Sequence, residues 1–259
     1  MGGQVIGQCL AHTAGIKYVS REELFAVANT HGEIADRVVK AIPKAARDYA
    51  GFSELRRPYK ILMRLALLQY ADQGSFAYFG YSGHLLLEGI SHVVKARLIA
   101  PLELRVNLTV NRLKCGEEEA RDYIRQMDEE RTTWARFMYG KDIRDPHEYD
   151  ICINLANATF PAACELLAYA TRLKDFQPTE ESLDAQANLL LATRVEAELL
   201  NGPETFGLEV SARARKGSIL LEGPYLEDSR LEHVLDVAAS VSGVKAVEYQ
   251  PGYAPSMSF

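Results

Sequence analysis

Two short, strongly apolar runs at 76–81 and 93–100, bounded by Gly, Ser and Pro, and a third strand candidate at 149–155 are separated by stretches of helical periodicity. This alternation constrains the chain more than any other feature. A strand covered on both faces reads as a short continuous apolar run, and strands separated by helices pair in parallel through crossover connections. The first two thirds therefore read as an α/β fold. The expected helices cover 1–15, with Ile6, Leu10 and Ala14 on one face and Gly15 as the stop, and 33–49, with Ile34, Val38 and Ile42 aligned and Pro43 marking a kink or break. Further helices are expected at 56–71, along Ile61, Leu65, Leu68 and Ala71, at 117–139, along Ala120, Tyr123, Ile124, Met127 and Trp134, and at 161–169. Ser20-x-x-Glu23 is a capping box that opens another helix near Arg21, ending before Gly32.

Beyond residue 174 the order changes. Residues 175–179 are a polar, Pro-containing break, read as a linker between a domain at 1–174 and a second at 180–250, with 251–259 as a tail. Thr179 caps a helix that runs to Leu200 and stops at Asn201-Gly202. Strands at 208–214 and 219–221 flank a Lys216-Gly217 turn. Ser229-x-x-Glu232 reads as a capping box before a helix with Leu231, Val234, Leu235, Ala238 and Val241 on one face, and 244–249 reads as a third strand.

With 29 Lys+Arg against 35 Asp+Glu in 259 residues, the formal net charge of −6 argues against a general nucleic-acid binder. Cys9, Cys115, Cys152 and Cys164 are far apart and include no C-x-x-C pair, so neither a zinc site nor a disulfide framework is suggested; they read as thiols of a reducing cytoplasm. The N-terminal MGGQVIGQ lacks the basic and long apolar stretches of a secretory signal, and no apolar run approaches the ~18 residues of a membrane span. A cytoplasmic protein without transmembrane segments is expected.

Three stretches resemble the cytidylate kinase-like family, a branch of the P-loop nucleoside monophosphate kinases. They are GGQVIGQCLA (2–11), GIKYVSREEL (15–24) and the run ARLIAPLELRV (96–106), EEEARDYIRQMDEERTTWARFMYG (117–140), DPHEYDICIN (145–154). The resemblance implies a P-loop kinase-like parallel sheet flanked by helices, with ATP and Mg²⁺ as cofactors and a nucleoside monophosphate resembling CMP as acceptor. Residues 180–250 are similar to a BON domain, on the cues AELL, LEVSARA, KGSILLEG and SGVKAVEY. That implies a small α+β module with a protein or lipid partner. In the family a central strand feeds the glycine loop, so Met1 is expected to lie inside that loop, with the natural start upstream.

The resemblance assigns roles residue by residue. Gly2 and Gly3 match the end of the phosphate loop, where backbone N–H groups at a helix N-terminus meet phosphate. Gln4 stands where the family usually carries a basic residue. Gly80 and Tyr81 match a Gly-Arg-Gly turn near the acceptor, with Tyr81 in place of the arginine; His84 nearby reads as a polar site residue or a solvated loop histidine. Asp128 and Arg131, with Arg125 in support, match the lid whose arginines stabilise the transferred group, while their spacing alone equally describes an ordinary ion pair on a solvated helix. Arg105 and Arg112, seven apart, read as pocket-lining or surface arginines. Asp145 and Asp150 flank the Pro146 turn, where the resemblance puts the adenine and where turn formation accounts for them equally. The readings that remain are a kinase, favoured by the intact lid and D-P-x-x-Y-D segments, and a catalytically degenerate nucleotide-binding protein that associates through its BON domain, favoured by Gln4 and Tyr81.

Overall fold

The computed structural model describes residues 2–45, 49, 51–80 and 82–252. They form two compact units interleaved in sequence. The first gathers the described parts of residues 1–23, 46–49 and 74–178, the second those of 24–45, 50–73 and 179–259.

The first unit opens with helix α1 (Gly2–Ala14), which ends in a Schellman motif. Gly15, at φ +67°, occupies the left-handed position that any other side chain would strain, Ile16 N–H donates to Ala11 O (2.9 Å) and Gly15 N–H to His12 O (3.4 Å). The turn feeds β1 (Lys17–Val19), a strand too short to show a period in the sequence. Helix α2 (Arg21–Ala28) starts where the capping box predicts: Ser20 N–H donates to Glu23 Oε2 (2.8 Å) and Glu23 N–H to Ser20 Oγ (3.1 Å). Strand β2 (Phe76–Tyr78) pairs with β1 in parallel, Tyr18 opposite Ala77. Strands β3 (Ala96–Ile99) and β4 (Ile151–Asn154) form a second parallel pair, Ala96 opposite Ile151 and Ile99 opposite Asn154. Among the described residues the two pairs are separate small ladders. Helix α1 packs on both, touching β1 and β2 while its Ile6 joins Ile153, Leu98 and Leu167 in one apolar cluster.

Within this unit α5 (Leu102–Leu113) and α6 (Glu117–Tyr139) form an antiparallel pair closed by Val106, Ala120 and Ile124. Helix α7 (Phe160–Ala170), capped by Thr159, lies against α1.

In the second unit α3 (Glu33–Ala45) continues past residue 43 and stops short of residue 49. Helix α4 (Arg56–Gln73) is apolar nearly all round and is buried accordingly, with Ile61, Leu62, Leu65 and Leu68 inside. Its Arg57 donates to Leu208 O (3.2 Å) and to Val210 O, so this basic residue acts as a strut. Helix α8 (Glu180–Asn201) begins with a reciprocal cap between Thr179 and Ser182. Strands β5 (Ser211–Arg215) and β6 (Ser218–Gly223) form a hairpin whose two turn residues, Lys216 (φ 52°) and Gly217 (φ 95°), give the left-handed pair of a type I′ turn. Helix α9 (Asp228–Ser240) does not begin at the expected Ser229 box; Glu227 is its N-cap residue and Ser229 lies inside the first turn, with Asp228 supplying negative charge to the helix start. Strand β7 (Ala246–Pro251) returns parallel to β6, giving the sheet order β5-β6-β7 over a core of Val195, Val210, Ile219, Leu221 and Val234.

Candidate functional site

Gly2 and Gly3 lie within the first turn of α1, where N–H groups have no partner inside the helix and the dipole favours an anion. Two aromatic rings close on this turn. A Cβ on Gly2 would stand 2.7 Å from Phe160 Cε1, and one on Gly3 would collide with the Phe79 ring, so neither position admits a side chain without displacing a ring. Phe79 directly follows β2, and Phe160 opens the helix that follows β4. The helix start therefore packs against the residue that follows β2 and against the first residue of α7. Gln4 is exposed beside these glycines. Gly80 comes one residue after Phe79, and the Tyr78 side chain lies so close over Gly80 and Gly83 that a Cβ at either would clash. Tyr81 lies outside the described residues.

Asp128 makes a contact that its i, i+3 spacing to Arg125 and Arg131 does not suggest. The Asp128 carboxylate accepts from Arg105 Nη2 across α5 and α6 at 2.7 Å, with both side chains partly exposed. The same two helices are clasped by Arg121, which donates to both Glu103 oxygens (2.9 and 2.6 Å), and by Arg112, which donates to Tyr123 Oη (3.1 Å). The bidentate Arg121 contact holds the Glu103 carboxyl below its ordinary range. Arg131 is half-buried one turn beyond Asp128. Arg125 points outward and pairs with Asp122 at 2.9 Å, both well exposed. The structure therefore brings Asp128 and Arg105 together, a contact between residues 23 apart that helical spacing does not reveal.

Asp145 and Asp150 have turn and strand duties. Asp145 accepts from His147 N–H (2.9 Å) and Nδ1 (2.7 Å) over the turn Pro146–Glu148, and Asp150 accepts the Lys95 backbone N–H (2.7 Å), tying the starts of β3 and β4 together. Arg97 donates to Arg144 O (2.6 Å) and lies over the Tyr149 ring. His84 is not a solvated loop histidine: its ring stacks on Tyr149 with centroids 4.6 Å apart, and burial lowers its pKa to about 4.

The cysteine expectation is corrected. Cys9 of α1 and Cys164 of α7 form a disulfide, Cα atoms 6.1 Å apart, while Cys115 and Cys152 are free. Their separation of 155 residues conceals the pairing from any local spacing rule, and only the packing of α1 on α7 reveals it. The bridge anchors the helix whose first turn carries Gly2 and Gly3.

The model of the cytidylate kinase-like family matches residues 1–157. No curated protein matches the chain. Among solved structures, the chain is similar to an uncharacterized protein from Eubacterium ventriosum ATCC 27560, 19% identical, with 66% of this chain and 91% of that chain covered at a TM-score of 0.53. At that identity the likeness is one of fold. No helix among the described residues is long and apolar enough to cross a membrane.

Proposed function

The chain belongs to the cytidylate kinase-like family, and from that premise we propose that residues 1–174 are a phosphotransferase that moves the γ-phosphoryl group of ATP to a CMP-like nucleoside monophosphate. The observation that carries this reading is the first turn of α1. Its two glycines lie against Phe79, which follows β2, and Phe160, which opens α7. Phosphoryl transfer asks a protein chiefly for positioned donors and cations around phosphate, which suits this arrangement.

In this reading the N–H groups of Gly2, Gly3 and Gln4 receive the donor phosphates. The Asp128–Arg105 pair fixes α5 against α6, and Arg105, which spends one N–H on Asp128, offers others to a phosphate. Arg131, positioned on the same helix as Asp128, neutralises charge on the transferred group, and Arg125 adds positive potential at the surface. Gly80, one residue after Phe79, contributes its backbone on the acceptor side. Mg²⁺, when bound with the nucleotide, would offset the charge of the donor phosphates. The described residues include no group of three or more His, Cys, Asp or Glu able to hold a metal ion, so no side chain is assigned to the magnesium.

Residues 180–250 are a BON-like module in the same proposal, supported by their order of helix, two strands, helix and strand around one mixed sheet. They would recruit a protein or lipid partner.

A second reading, a nucleotide-binding protein without turnover, is favoured by Gln4, which supplies no charge, and by the engagement of Asp128 with Arg105. A coupled ADP-release assay over a panel of monophosphates, run beside Arg131→Ala, separates the two. Turnover that falls by about 10²-fold or more in the variant supports the transferase, as expected for loss of one group that stabilises transition-state charge. Saturable ATP binding without turnover with any acceptor supports the second reading and refutes the first.

A further inference from the structure

The amino ends of β3 and β4 carry a cleft of about 180 Å³, lined by His84, Glu88, Lys95, Lys141, His147 and Glu148 among others. Lys95 directly precedes β3, and Glu148 lies three residues before β4. The two four-residue strands run in parallel register, so the cleft and their carboxyl ends are separated by about 10 Å of strand. It is thus distinct from the α1 site.

Its polar groups form two opposed sets. Lys141 Nζ donates to Glu148 Oε1 at 2.8 Å, which leaves two of its three N–H groups for other acceptors. The carboxylate paired with Lys95 Nζ is Asp150, at 3.9 Å, beyond hydrogen-bond distance. Glu88, exposed on the rim, is hydrogen-bonded to neither lysine. His84, neutral and stacked on Tyr149, forms part of the lining, and its Nε2 is buried without a hydrogen-bond partner. His147 at the rim is held by Asp145. Lys95 and Lys141 against Glu88 and Glu148 sum to zero charge. A phosphate dianion would face both glutamates, while a simple cation would face two ammonium groups.

We propose that this cleft binds a small zwitterion of the amino carboxylate class, its carboxylate between Lys95 and Lys141 and its ammonium group against Glu88. The cleft is sized for a compact molecule rather than a nucleotide, since ordinary ligand pockets begin near 300 Å³. The inference is independent of the kinase reading.

The test is an NMR titration of the full chain with labelled histidine, the His84 ring resonances assigned through His84→Gln. The probes are glycine, L-serine and γ-aminobutyrate, with acetate, methylammonium and inorganic phosphate as single-charge or anionic counterparts. The expected result is a saturable shift of the His84 resonances by at least one amino carboxylate, with Kd about 1 mM or tighter and acetate and methylammonium at least about tenfold weaker. Lys95→Met should weaken that binding by about tenfold or more, as loss of a charged partner demands. If His84→Gln does not fold, the wild-type titration and Lys95→Met still decide the matter, with the responding histidine identified by its ring contacts to Tyr149. The proposal is overturned if no probe shifts His84, if acetate or phosphate binds as well as every amino carboxylate, or if Lys95→Met binds unchanged.

Discussion

Breaking the Cys9–Cys164 bridge should cost the first unit much of its stability. In the chain-entropy account a crosslink stabilises by restricting the unfolded ensemble, and the restriction grows with the logarithm of the loop it closes. For a separation of 155 residues the ceiling is about 5 kcal/mol at 25 °C. In a chain of this size each kcal/mol moves Tm by about 2–4 °C, so the ceiling corresponds to a fall of about 10–20 °C. Cys9→Ser is the cleaner perturbation, because Cys9 is only half-buried while Cys164 is 1% exposed and a hydroxyl there would add a burial cost of its own. Trp134, the only tryptophan, is buried in α6 of the same unit, so its fluorescence during urea unfolding reports on that unit. Two further readouts isolate the bridge from packing. Native protein should titrate two thiols, Cys115 and Cys152, and four after reduction and unfolding. The double variant Cys9→Ser/Cys164→Ser should lose much less than the sum of the single losses, since either substitution already breaks the bridge. Four reactive thiols in native protein equilibrated with oxidised glutathione, or a Cys9→Ser variant as stable as the wild type, would refute the reasoning.

In the second unit, Glu196 is 6% exposed, accepts the Ala212 N–H at 3.1 Å and pairs with Arg64. Glu196→Ala strands both donors, and urea unfolding should show a loss of about 3 kcal/mol, at the lower end for a broken buried pair because Arg64 keeps some contact with water; a loss below about 0.5 kcal/mol contradicts the pairing. His84 supplies a pH signature. Its folded pKa of about 4 lies below the 6.5 of an unfolded histidine, with burial the main cause, Glu148 opposing it and Lys95 reinforcing it. The folded state therefore binds fewer protons, and its stability is full above pH 6.5 and declines as pH falls from 6.5 towards 4. Thermal unfolding across that window should show the decline, and His84→Gln should flatten it between pH 6.5 and 5; an unaltered profile in the variant excludes His84 as the source.

Local chemistry was legible wherever it is decided within a few residues. The Ser20–Glu23 box and the Gly15 stop follow from side-chain reach and from φ alone, and α6 begins and ends at the expected residues 117 and 139. Ser229 shows the limit: the same four-residue pattern fits a box, yet the chain enters α9 two residues earlier through Glu227. Contacts between distant segments were not legible. Asp128 has two arginines on its own helix at offsets of three, and nothing in the spacing reveals that Arg105, on another helix, pairs with it. The two rings against Gly2 and Gly3 come from residues 79 and 160, and the Cys9 partner from residue 164, each brought in by tertiary packing. The His84 cleft combines residues about 60 apart whose individual types are ordinary for surface loops.

The central claim is that the first turn of α1 is a phosphate site. Amide NMR during titration with ATP and Mg²⁺ tests it directly. The account predicts saturable shifts that are largest at Gly3 and Gln4 and accompanied by Gly80, with the resonances of α9 unmoved. Shifts confined to other segments, or none at ATP concentrations of about 10 mM, well above the ordinary KM range of 1 μM–1 mM, would contradict it.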